Sequence, residues 1–331
     1  IFSCTQVSTI GMRRHQFGST PTRIVWLQVA GFEEELLSLL KFSGGSSEYK
    51  TGLERFTCYG KIWEYNLFDL RPDAKVSFLS QLTGSKNLKN ECNDYDRKPV
   101  WNYLASSRYK VGYFEYGVSE KDSLSSDLSC VDKSKEFRKG VTVWKMKQSP
   151  ANKKVKLFHQ SNQDSYQVGK TYYDRSCNTG ECFSLFSDNV ISTYELYNKN
   201  VSNSLFVIRD HSLLNSLRSK NINQIKNNLR EIDKIINYFL GKTDKLGDLL
   251  LLVTSASPLG VDLPKTGVQW EELESKGMFF DIKSTRLTSS IFATGARSEN
   301  FCGYYEQADI LTRLFSSPKQ QGLEFEFINP F

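Results

Sequence analysis

Five consecutive apolar residues, Leu249-Leu250-Leu251-Leu252-Val253, constrain this chain more than any other feature. In a half-solvated strand polar and apolar residues alternate, because successive side chains point to opposite faces. A run without alternation has no polar face for water, and suits a central strand covered on both sides. Ile24-Val25-Trp26-Leu27-Gln28-Val29 and Leu205-Phe206-Val207-Ile208 are similar runs. Val111–Tyr116 and Ile291-Phe292-Ala293 are further strand candidates.

Helical patterns lie between these runs. Gly31 follows the first, and Glu33-Glu34-Glu35 then precede Leu36-Leu37, with the acids at the positive end of a helix. Residues 74–82 and Trp101–Ser106 read as helices. Ile222, Ile225, Leu229, Ile232, Ile235, Ile236 and Phe239 recur at helical spacing, and Gly241 reads as the stop. Strands alternating with helices predict an α/β fold, a three-layer sandwich around a mainly parallel sheet. In such a sheet, ligands sit beyond the carboxyl ends of the strands. Residues 1–22 read as a leader or tether, and 23–331 as one domain. Within it, 113–203 read as an inserted accessory lobe or cap, with a polar surface insertion at 118–136. Tyr166, Tyr172, Tyr173, Phe183, Phe186, Tyr194 and Tyr197 either pack inside that lobe or anchor an interface. Leu323-Glu324-Phe325-Glu326-Phe327 alternates as an edge strand does.

The net charge of +6 is scattered, not gathered in a block. It reads as a mildly basic solvated surface, or as attraction to anionic envelope polymers or lipid headgroups. No zinc-finger spacing, RNP-like motif or recognition helix is present, so nucleic acid is not an expected partner. No apolar run reaches the roughly 18 residues of a spanning helix. Seven cysteines form no C-x-x-C pair, and there are only three histidines, His15, His159 and His211, so no metal site is expected. Cys177 and Cys182 bracket a short polar loop and read as a disulfide, which suits an oxidising compartment. Ile1-Phe2-Ser3-Cys4 resembles the end of a bacterial lipoprotein signal. It makes Cys4 a candidate lipid anchor, the expected route to a membrane, and leaves six cysteines to pair. The expected location is outside the cytoplasm, periplasmic or associated with the outer membrane.

Four separated segments resemble the alkaline phosphatase superfamily. Its fold is a three-layer α/β sandwich, and its enzymes hydrolyse phosphate or sulfate esters with divalent metals, usually two zincs. Pro72-Asp73-Ala74-Lys75 running to Thr83-Gly84 matches the segment that carries the nucleophilic serine, and the serine falls on Ala74. A methyl group neither attacks phosphorus nor binds metal. Ser77 and Ser80 are off register and read as helix residues facing loop or solvent. Val25–Phe32 matches a strand ending in a metal-bridging aspartate, here Ala30. Leu251–Ser257 matches a strand ending in an Asp-His ligand pair, here Ala256 and Ser257. Ile291–Ala296 with Asn300–Ile310 matches the closing scaffold segment, and the family's histidine before it falls near Ser284. After strand 205–208, Arg209, Leu214 and Arg218 stand near three further ligand positions.

The resemblance implies a scaffold without its chemistry. The leading expectation is a non-catalytic envelope protein, with no cofactor, that binds protein partners or serves as a subunit of an assembly. Arg71 and Lys75, near a helix N-terminus, are candidates for an anionic ligand. A second reading is a metal-independent or relocated-site ester hydrolase or transferase using Asp73, Glu115, Asp210 and His211.

Overall fold

In the computed structural model, residues 21–42, 49–89, 94, 99–105, 109–124, 140–150, 155–159, 163–177 and 182–315 are described. Cys4, Cys92, Cys130 and the alternating segment 323–327 lie outside them. The strand β1 (Arg23–Ala30) is buried from Ile24 onward. The further strands are β2 (Cys58–Trp63), β3 (Lys110–Tyr116), β4 (Val141–Met146), β5 (Lys156–Phe158), β6 (Thr171–Asp174), β7 (Ser204–Asp210), β8 (Leu249–Ala256), β9 (Leu259–Asp262), β10 (Asp281–Thr285), β11 (Thr288–Gly295) and β12 (Gly303–Glu306). Ten of them form one sheet in the order β12-β2-β11-β8-β1-β7-β3-β4-β6-β5, while β9 and β10 form a separate hairpin. Only β11 runs antiparallel to its neighbours in the large sheet. The run 249–253 sits inside β8, between β1 and β11, as its lack of a polar face requires.

The helices are α1 (Ser38–Lys41), α2 (Ala74–Thr83), α3 (Val100–Ala105), α4 (Phe186–Tyr197), α5 (Ser212–Arg218), α6 (Ile222–Thr243), α7 (Gly267–Lys276) and α8 (Asp309–Phe315). Alternate side chains of the sheet enter two cores. Val25, Leu27 and Val29 join the core under α4, α5 and α6. Ile24 and Trp26 join the core under α2, α3 and α8. The result is the expected three-layer sandwich.

Several local expectations change. Gly241 lies inside α6, which leaves the helix at Asp244 instead. A glycine stops a helix when it adopts the left-handed conformation, and Gly241 is not among the residues with positive φ. The helix expected after Gly31 is a 3-10 turn, Glu34–Leu37, followed by one turn of α1. The larger correction concerns 113–203. Its described part is not a cap or separate lobe: β3, β4, β5 and β6 extend the central sheet in parallel, and α4 covers one face. Tyr172, Phe186, Tyr194 and Tyr197 are buried in that core, so their aromatic richness is packing. Two disulfides are present among the described residues. Cys177–Cys182 closes the short loop, and Cys58–Cys302 ties β2 to the turn before β12.

Candidate functional site

The carboxyl ends of β1, β7 and β8 point to one place, beside the start of α2. The Asp-Ala…Thr-Gly spacing proves to be the length of α2. Asp73 is its N-cap, with a carboxylate oxygen accepting from Val76 N–H at 2.9 Å. Gly84 ends the helix in the left-handed conformation, φ 64°. The Asp73 carboxylate therefore already occupies the helix's amide-rich end. Arg71 is exposed on the preceding loop. Lys75 instead donates to the Lys121 carbonyl at 3.1 Å.

Ala30, Ala74 and Ala256 do come together. They form one buried apolar cluster with Phe78 from α2 and Leu214 from α5. Phe78 and Leu214 pack against the three alanines. Ser257 borders the cluster with its polar atoms engaged. Its N–H donates to Glu64 Oε2 at 2.6 Å, and its hydroxyl donates to the Pro72 carbonyl at 2.7 Å. Its φ of 49° is in the left-handed region, held there by these two contacts. Ser284 is exposed on β10 and Arg218 is exposed at the end of α5. The divalent metals that the family resemblance implies do not fit these residues. Alanine and leucine offer no donor atom, and the serine's hydroxyl is already bonded to backbone.

One or two residues before the strand ends, a polar row crosses the sheet on the α2 face. Cross-strand register places Thr254, Gln28, Arg209, Glu115, Lys145 and Tyr173 side by side. The charges alternate in sign. The Arg209 guanidinium is buried, with Nε and Nη2 each 3.3 Å from Gln28 Oε1. Phe78 and Tyr113 present their faces to it, 5.0 and 5.1 Å from Cζ. Gln81 of α2 completes the row, accepting from the Thr254 hydroxyl at 2.8 Å and donating to the Ser255 carbonyl at 2.9 Å. Sequence reading placed Arg209 near a ligand position but missed the row. Its only signal was polar residues at matching distances inside otherwise apolar strands.

The other candidate catalytic groups are engaged structurally. Glu115 accepts from the Ser123 hydroxyl and Leu124 N–H, both at 2.7 Å. Burial pushes its carboxyl up, against the opposing pull of Lys145 and Arg209. Asp210 is fully buried, accepts from Ser212 N–H at 2.8 Å, and is pushed by burial up to about 6. His211 packs its ring 5.8 Å from that of Phe78, and burial lowers it to about 3. Ser77 and Ser80 face the interior, not loop or solvent. The Ser77 hydroxyl lies 3.4 Å from Glu64 Oε2, and that of Ser80 donates to the Ser85 carbonyl at 2.8 Å.

Glu64 is the buried acid that holds Ser257, and burial raises it from 4.5 to about 7. A carboxyl raised in the folded state keeps its proton longer than the unfolded chain does. Its contribution is therefore present at low pH and is lost as pH rises from 4.5 toward 7. Glu64→Gln removes that titration while keeping the carbonyl acceptor. The variant is expected to gain about 1–3 kcal/mol on the wild type between about pH 5 and pH 8. Urea unfolding at both pH values measures it, and a constant difference would contradict this account of Glu64.

No family model and no curated protein matches the sequence. Solved structures do. Alkaline phosphatase from the Antarctic bacterium TAB5 superposes with a TM-score of 0.67 at 16% identity, covering 89% of this chain and 97% of that one. The Thermus thermophilus alkaline phosphatase gives 0.67 at 10% identity, covering 95% and 94%. The lipoteichoic acid synthase LtaP from Listeria monocytogenes gives 0.50 at 12% identity, covering 89% and 71%. The two alkaline phosphatases superpose over nearly the whole of both chains: the chain has the alkaline phosphatase-like fold.

Proposed function

We propose that this chain is a pseudoenzyme, an exported protein that uses an alkaline phosphatase-like scaffold for binding or assembly and not for ester hydrolysis. The observation that carries this reading is the apolar cluster of Ala30, Ala74, Phe78, Leu214 and Ala256. It stands where the resemblance places a nucleophile and metal-binding carboxylates. The polar row beneath it supports the same reading, because a fixed buried Arg209 supplies positive charge there without a metal. The disulfides Cys58–Cys302 and Cys177–Cys182 support an oxidising location such as the periplasm or cell exterior. Lipid attachment at Cys4 and protein partners in the envelope belong to this reading.

The relocated-site alternative gains little from the geometry. Asp73 caps α2, Glu115 accepts from two fixed donors, and Asp210 and His211 are buried. Purified protein is expected to retain no stoichiometric zinc or manganese after dialysis. It is also expected to show no turnover of p-nitrophenyl phosphate or bis-p-nitrophenyl phosphate above the uncatalysed rate. Metal-dependent turnover, or turnover abolished by Asp73→Ala, would overturn the proposal.

A further inference from the structure

Asp174, Cys177 and Cys182 gather at the carboxyl end of β6, the end at which sheets of this kind place their ligands. The carboxylate oxygen and the two sulfur atoms all lie within 4.8 Å of one another. Asp174 and Cys177 are buried, and Cys182 is half-buried. The two sulfurs are joined in the loop disulfide. β6 is four strands from β1, about 19 Å at about 4.8 Å per strand, so this place is separate from the cluster of Ala30, Ala74 and Ala256.

The Asp174 carboxylate is 2% exposed, and two neutral donors hold it. Oδ1 accepts from Ser176 N–H at 2.8 Å, and Oδ2 accepts from Asn189 Nδ2 at 2.6 Å. Burying an anion without a countercharge is costly, and a cation beside the sulfurs would supply that charge. Each carboxylate oxygen keeps a further lone pair for it. Asn189 lies near the start of α4, which is anchored in the core through Phe186, Val190, Tyr194 and Tyr197. A donor fixed in this way is of the kind that orients a ligating carboxylate from outside the metal's own shell.

We propose that Asp174, Cys177 and Cys182 form a redox-gated site for zinc or another thiophilic divalent metal. An external dithiol opens the disulfide. One of its thiolates attacks the sulfur of Cys182, the more exposed of the pair, and its second thiol resolves the mixed disulfide. The dithiol leaves as its own disulfide, having given two electrons and two protons to Cys177 and Cys182. The metal then displaces both thiol protons and is held by two thiolates and the Asp174 carboxylate. A tetrahedral zinc keeps such ligand atoms about 3.6–3.8 Å apart, so the freed sulfurs need only a small movement to seat it. Two thiolates favour a soft metal over calcium or magnesium. Three protein ligands leave the fourth position to water. With the disulfide closed there is no thiolate to bind, so the oxidised protein takes up no metal here. The site shares no residue with the alanine cluster and stands whether or not the pseudoenzyme reading holds.

Cobalt titration of the full chain carrying Cys4→Ser, Cys92→Ser and Cys130→Ser tests it, before and after reduction by a phosphine. The reduced protein is expected to take up one cobalt per chain, with thiolate-to-metal charge-transfer absorption, and to release it to zinc. The oxidised protein is expected to show neither. Cys177→Ser and Cys182→Ser are each expected to remove most of the absorption. Asp174→Asn and Asn189→Ala are each expected to weaken affinity about tenfold or more, with unchanged circular dichroism. Cys58→Ser together with Cys302→Ser is expected to leave the absorption as it was. Absence of cobalt absorption from the reduced chain would overturn the proposal, including the case in which reduction unfolds the protein. Equal affinity before and after reduction would overturn it too, as would unchanged affinity in Asp174→Asn or absorption that is lost only with Cys58 and Cys302.

Discussion

Ala256→Asp is expected to lower the unfolding free energy by about 3–5 kcal/mol, and added zinc is expected not to restore it. Ala256 is fully buried among Ala30, Ala74, Phe78 and Leu214, none of which offers a hydrogen bond or an opposite charge to a carboxylate. The new side chain must either take up a proton or remain an unpaired charge among hydrocarbon, and its volume also displaces Phe78 or Leu214. In a metal-binding member of this fold the same carboxylate would be neutralised by a cation. Here the surrounding donors are missing too, so one restored ligand leaves the site as unfavourable as before. Urea unfolding with and without zinc separates the outcomes. Zinc-dependent recovery of stability would mean that the cluster is a latent metal site and not a replacement core.

Arg209→Ala is expected to cost about 3 kcal/mol, while Arg209→Met recovers part of the loss and Arg209→Lys recovers less than charge retention alone would suggest. The guanidinium fills the space between Phe78 and Tyr113 and directs two N–H groups at Gln28 Oε1. Alanine leaves a cavity there and deprives Glu115 of one of its two positive neighbours. Methionine restores volume without charge, whereas lysine restores charge without the planar face that stacks on both rings. A double-mutant cycle with Glu115→Gln separates the electrostatic share from packing. If Arg209→Lys matched the wild type, charge alone would account for the residue, and the stacked geometry would carry no weight.

Much of the architecture was legible because it rests on local pattern. The unbroken run in β8 required cover on both faces, and the spacing of Ile225, Leu229, Ile232, Ile236 and Phe239 marked one face of α6. The reading of residues 74–82 as a helix also agrees with α2, and the structure adds its caps, Asp73 and Gly84, which involve only nearby backbone. The segment 113–203 was misread for a physical reason. Its strands β5 and β6 have three and four residues, too short to establish a period, and their place in the sheet depends on parallel partners far along the chain.

The sequence by itself determined that Ala30, Ala74 and Ala256 carry no donor atom, because no arrangement of the backbone turns an alanine into a ligand or nucleophile. Only the tertiary structure decided that the three meet, and what surrounds them. Phe78, Leu214, Gln28, Gln81, Arg209 and Glu115 come from five separate elements, and nothing in their local sequence shows that they meet. Side-chain identity is a local property. Whether Ala30, Ala74 and Ala256 line an open pocket, a charged cavity or an apolar core depends on packing among elements distant in sequence, and here that packing built an apolar cluster over a buried row of alternating charge.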